Sequence, residues 1–113
     1  MTALLYSALV AMAFGVFWGL SAFNRLVSLE FTEFPDRWEA DGRPNGGRLS
    51  GAQVSLWRSA VARHRLVHEW LAKTPSWVKG HPEAGSLLAR FRLGIAVMTA
   101  GVLTCIGVAV LGT

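Results

Sequence analysis

His64 and His68 are the sharpest chemical feature of the chain. They stand at i, i+4, so in a helix both rings project from one face. Two imidazoles at that spacing can share a zinc ion, and an imidazole can also ligate haem iron. A zinc site needs further ligands, and no acid or Cys falls at a matching step on that face. His81 lies beyond a loop, Cys105 is the only cysteine, and no Cys-x-x-Cys-His is present. The plainer reading is a pair of histidines at an interface, hydrogen-bonded or touching lipid headgroups. No cofactor is expected, and a haem- or metal-binding membrane subunit using His64 and His68 is the alternative.

Other reactive constellations are missing. The sequence holds no phosphate-binding loop and no nucleophile motif. Glu30, Glu33, Asp36, Glu39 and Asp41 form an acidic run, read as a solvated face that balances nearby Arg. No catalytic residue, no enzyme activity and no small-molecule substrate is expected.

The elements that would carry these residues are set by where the charges are not. Of the 113 residues, 52% are apolar and the mean hydropathy is +0.39. The apolar residues concentrate in two uncharged blocks, Met1 to Asn24 and Leu93 to Thr113. A hydrocarbon core of roughly 30 Å takes about 20 helical residues, and both blocks reach that length. In lipid each must be a helix, because a lone strand leaves its backbone unpaired. A cleaved signal peptide fits poorly: nothing basic precedes Arg25, and the apolar run exceeds the usual core of about 7–15 residues. A soluble core fits poorly too, since the polar remainder is too small to cover two fully apolar helices. The expected fold is therefore all-α, an integral membrane hairpin of two transmembrane helices, residues 1–24 and 93–113, joined by a segment over 25–92.

That segment carries all 11 Lys and Arg and all 7 acids, which gives the chain its net +4. Basic residues within about 15–20 residues of a span favour the cytoplasmic side. Arg25 and Arg37 meet that condition after the first block, and Lys73, Lys79, Arg90 and Arg92 before the second. The expected location is a bacterial inner membrane, multi-pass, with both termini periplasmic. The pI of 10.2 suggests nucleic acid only superficially. Acids are interspersed with the bases and no nucleic-acid motif appears. An anionic leaflet is the simpler partner, each nearby Lys or Arg contributing about 1 kcal/mol.

Within the segment, Val27, Phe31 and Phe34 share a helical face, so the first helix runs past the membrane and ends at Pro35. The stretch EADGRPNGGRLSG is turn chemistry. Residues 50–73 then have helical apolar spacing, with Val54, Trp57, Val61 and Leu71 on one face and Arg58, Arg65, Glu69 and Lys73 opposite. Ser50 can cap this amphipathic cytoplasmic helix, and Thr74-Pro75 stops it. After a second break a helix starts near Pro82, a favoured first position, and continues uninterrupted to the C-terminal block. Arg90 and Arg92 mark its exit from lipid. Trp57, Trp70 and Trp77 suit a membrane interface or a contact with a partner.

Small residues recur every four positions in the first block: Ala3, Ser7, Ala11, Gly15 and Gly19. The second block offers Ala96, Ala100 and Thr104, with Gly101 and Gly107 nearby. Lipid gives helices no hydrophobic reason to meet, and close backbone approach at small residues substitutes dispersion contacts. Both rows are read as packing surfaces, against each other or against another protein.

The layout resembles universal stress protein B, a small bacterial membrane protein, in SLWRSAVARHRL (residues 55–66) and LLARFRLGIAVM (residues 87–98). The stretch between these pieces is longer here than in that family, and the family's cysteine in that region is absent. The resemblance implies an integral membrane protein linked to stress response, with no catalytic residues to carry over. Taken with the bare spans, three functions are expected in this order. The first is a non-catalytic accessory subunit of a larger integral membrane complex. The second is the His64/His68 cofactor binder, and the third a free-standing stress-response membrane protein.

Overall fold

The computed structural model describes residues 2–44 and 56–112. These form helices α1 (Thr2–Glu33), α2 (Pro35–Ala40), α3 (Leu56–Ala72), α4 (Ser76–Lys79) and α5 (Pro82–Leu111), with no strand among the described residues. α1 and α5 have 32 and 30 residues, about 45–48 Å at 1.5 Å per residue. Their continuity follows from composition, since no proline interrupts α1 and the only proline of α5 is its first residue. Both helices are long and apolar enough to cross a membrane, with mean hydropathies of 1.9 and 2.3 in their most apolar stretches.

The ends of the helices carry legible signals. α1 stops at Glu33, and Pro35 opens α2. α2 closes through Gly42, whose φ of +92° suits the left-handed turn that follows a helix. α5 begins at Pro82, and His81 caps it: its Nδ1 accepts the Ala84 N–H at 3.2 Å. Within the stretch 50–73 expected as a helix, α3 spans Leu56–Ala72. Residues 50–55, including the proposed Ser50 cap, lie outside the described residues. The short helix α4 falls in a stretch read from sequence as a break, and α2 follows the expected end of the first helix at Pro35.

The chain divides into two compact units. One comprises Met1–Ser21 with Arg90–Thr113. Here the two helical segments lie side by side, their contacts pairing rising numbers on α1 with falling numbers on α5. A Cβ added at Gly101 would meet Met12 and Ala8, one at Gly15 would meet Gly94 and Met98, and one at Gly19 would meet Gly94 and Phe91.

The other unit is Ala22–Ala89. Its core takes Phe23, Leu26 and Val27 from α1, Ala62, Leu66 and Trp70 from α3, Trp77 and Val78 from α4, and Ala84, Leu87 and Leu88 from α5. Aromatic rings tie the elements together. Phe23 meets Trp70 at 5.3 Å between centroids, Trp70 meets Trp77 at 6.0 Å, and Phe34 meets Trp77 at 5.1 Å. Such pairs add roughly 0.5–1.5 kcal/mol each beyond the area they bury. Trp38 packs edge-on against Phe31 and donates its indole N–H to the Pro44 carbonyl. Arg65 fixes the end of α2 by donating to the Asp41 carbonyl at 2.7 Å.

Candidate functional site

In the unit formed by the N-terminal part of α1 and the C-terminal part of α5, backbone approach is close enough to exclude side chains. A Cβ on Gly94 would lie 2.6 Å from the Gly19 Cα and 2.7 Å from the Gly15 carbonyl oxygen. Gly15 and Gly19 are buried there, as are Ala8, Gly94 and Gly101. Met12 completes the contact, reaching Gly101 and lying 3.8 Å by its sulfur from Cys105.

The spacing of this seam departs from the one expected. On α1 it runs 8, 12, 15, 19 and on α5 it runs 91, 94, 98, 101, 105, alternating steps of three and four. That heptad spacing keeps a side facing its neighbour, whereas a strict step of four drifts by about 40° per step on a helix of 3.6 residues per turn. Gly15 and Gly19 belong to both series. Ala3 and Ser7 have drifted away and are exposed, and Ala11 is half-buried. On α5, Ala96 and Ala100 are exposed and Thr104 half-buried, while Gly94 and Gly101 take the seam. Gly94 stands outside the step-of-four row of α5 but falls on the three–four alternation, which is the signal for it in the sequence.

Outside the seam, apolar side chains remain uncovered. Only 17% of the most apolar stretch of α1 and 11% of that of α5 is buried within the chain. Phe14, Phe17, Leu103 and Ile106 are among the large side chains left exposed, Phe17 at 80%. Three hydroxyls on these helices bond within their own helix. Ser7 donates to the Ala3 carbonyl, Thr99 to Ile95 and Thr104 to Ala100, each at 2.8–2.9 Å within its own helix. Arg90 sits over the Trp18 ring at 5.8 Å, and Arg92 is half-buried.

In the Ala22–Ala89 unit, α3 buries Ser59, Ala62, Leu66 and Trp70. Of the residues read as the apolar face, Trp57 is 78% exposed and Val61 51%. His64 and His68 continue that open face, both exposed, with ring centroids 4.6 Å apart. Among the described residues no group of three His, Cys, Asp or Glu could hold a metal ion. Trp70 and Trp77, read from sequence as interface residues, lie inside this unit. They are 2% and 7% exposed, because the aromatic cluster of this unit encloses them.

The acidic run is corrected. Glu33, Asp36 and Glu39 are exposed, but Glu30 is fully buried. It follows Leu26 and Val27 at helical steps of four and three, so it shares their inward face. That apolar flank was the signal available in the sequence. Glu30 lies past Arg25, beyond the uncharged block. Burial pushes its carboxyl up to about 9. The Asp41 carboxylate adds to the rise, and the Trp77 indole and the Arg37 guanidinium oppose it. Glu33 instead meets His81 Nε2 at 3.0 Å.

No protein-family model, curated protein or solved structure matches the chain, and nothing among these comparisons bears on the resemblance to universal stress protein B.

Proposed function

We propose that the chain is a non-catalytic accessory subunit of a larger inner-membrane complex. In this reading α1 and α5 form a transmembrane hairpin closed by the Gly15–Gly19–Gly94–Gly101 seam. The Lys- and Arg-bearing segment lies in the cytoplasm and both termini lie in the periplasm. The outward rows at Ala3, Ser7, Ala96 and Ala100 pack on a partner's helices. The open Trp57–Val61–His64–His68 face of α3 meets the cytoplasmic interface, where the chain's net +4 favours anionic lipid.

One observation carries the reading: pairing α1 with α5 leaves more than four-fifths of their most apolar stretches uncovered. A water-soluble core helix is mostly buried, whereas lipid or a partner's helices tolerate this surface without cost. The satisfied hydroxyls of Ser7, Thr99 and Thr104 fit the same environment, since each needs no water.

The test is purification of the native protein in mild detergent with mass spectrometry of what accompanies it. Stoichiometric integral partners are expected, and a clean monomer overturns the subunit reading. Sidedness is tested separately. Cys105 is replaced by Ser and a cysteine is placed at Ala60. That thiol is expected to be shielded from a membrane-impermeant reagent in intact cells and to react in inverted vesicles.

A further inference from the structure

His64 and His68 sit one turn apart on the open side of α3, both exposed, with ring centroids 4.6 Å apart and ring planes inclined at 75°. Each ring meets the other, and neither imidazole enters a hydrogen bond or ion pair among the described residues. A metal ion bound by two imidazoles at about 2.0–2.1 Å from each nitrogen holds their ring centres about 4.5–5.2 Å apart, as the angle at the metal opens from a right angle to a tetrahedral one. The 4.6 Å separation lies at the right-angle end of that range. Both side chains are exposed, so turning either ring toward a shared ion displaces no packed neighbour.

The surroundings leave these nitrogens without competitors. The other helix neighbours of the pair at steps of three and four are Ala60, Val61, Arg65, Val67, Leu71 and Ala72. Five of the six carry no polar side-chain atom. The sixth, Arg65, donates its guanidinium to the Asp41 carbonyl at the end of α2. Arg63 places its guanidinium over the Phe23 ring of α1. Both cationic heads are thus engaged with other elements of this unit, which limits their repulsion of an ion between the imidazoles.

We propose that His64 and His68 chelate one divalent transition-metal ion of the class that imidazole binds, Cu²⁺, Ni²⁺ or Zn²⁺. An ion held by the first ring meets the second at high effective concentration, which adds affinity that a single exposed histidine lacks. The described residues bring no third His, Cys, Asp or Glu to the pair, whereas a closed structural zinc centre takes four protein ligands. The remaining positions are therefore open, filled by water in the isolated chain and available to an external donor. The near-right-angle placing of the rings suits tetragonal Cu²⁺ or Ni²⁺ better than tetrahedral Zn²⁺. Mg²⁺ and Ca²⁺ take oxygen ligands and do not fit. This site goes beyond the subunit reading and depends neither on a partner nor on sidedness.

The experiment titrates the full-length chain, free of any affinity tag, in detergent micelles with Cu²⁺, Ni²⁺, Zn²⁺ and Mg²⁺ by calorimetry. Saturable binding of one ion per chain is expected, with Cu²⁺ tightest and Mg²⁺ silent. His64→Ala and His68→Ala are each expected to weaken Ni²⁺ binding at least 10-fold. Both positions are exposed, so circular dichroism and the unfolding midpoint of the metal-free chain are expected to stay unchanged. His81→Asn, outside α3, is expected to leave the affinity as it is. The electron paramagnetic resonance spectrum of bound Cu²⁺ is expected to show two coordinated nitrogens, falling to one in either single α3 variant. Absence of saturable Ni²⁺ and Cu²⁺ binding to the folded chain overturns the inference. So does full affinity in either His64→Ala or His68→Ala, or its loss in His81→Asn.

Discussion

Gly94 faces Gly19 so closely that a single added methyl would lie 2.6 Å from the Gly19 Cα. The obstacle is backbone, which cannot swing aside as the tip of a long side chain can. Gly94→Ala is therefore expected to destabilise the α1–α5 pairing by about 1–3 kcal/mol, the range for an overpacked site. Gly94→Leu is expected to disrupt it. Thermal unfolding in detergent checks both, with Gly107→Ala as the control, because a Cβ there meets nothing within 4 Å.

Ala96 and Ala100 test whether the outward rows matter. Both are exposed on α5, away from Gly94 and Gly101. Ala96→Leu and Ala100→Leu are expected to change stability by no more than about 0.5 kcal/mol, as exposed substitutions usually do. If these rows dock on a partner, the same variants release it during purification. Loss of the partner at unchanged stability is the expected result.

Two tryptophans of α3 should behave oppositely. Trp70→Ala empties a buried aromatic site and is expected to cost about 3–5 kcal/mol. Trp57→Ala removes an exposed ring and is expected to leave unfolding unchanged. If this face of α3 meets an anionic bilayer, Trp57→Ala is expected to reduce the quenching of Trp fluorescence by brominated lipid in the full chain.

Glu30 makes stability depend on pH. Its ordinary value of 4.5 is raised to about 9 in the fold, chiefly by burial, with Asp41 adding and Trp77 and Arg37 opposing. Between those values the unfolded chain loses a proton that the folded chain keeps, so ionisation favours unfolding. This contribution to stability is fully present below about 4.5 and is lost as pH rises toward about 9. Glu30→Gln cannot ionise and is expected to flatten that slope. Denaturation midpoints measured from pH 5 to pH 9, taken as about the span over which linkage acts, compare the two proteins.

His81 joins two elements through one ring. Its Nδ1 accepts the Ala84 N–H at the start of α5, and its Nε2 meets the Glu33 carboxylate at the end of α1. His81→Ala removes the cap and the Glu33 contact together and is expected to cost about 1–2 kcal/mol. His81→Asn, which can still accept the Ala84 N–H, is expected to restore part of that in chemical denaturation.

The sequence by itself determined what depends on neighbours along the chain. Charge-free runs without proline gave two long helices, Pro82 marked the start of α5, and Pro35 marked the end of α1 within two residues. The spacing of His64 and His68 was enough to bring their rings together. Tertiary structure decided which side of each helix is covered. Gly94 rather than Ala96 entered the seam, because a neighbouring helix is met at alternating steps of three and four, and a row stepping by four alone turns away from it. Trp70, Trp77 and Glu30 went inside while Trp57 and Val61 stayed out. A helical period fixes which residues share a face, but only the surrounding helices determine which face is buried, and with it the state of every titratable group it carries.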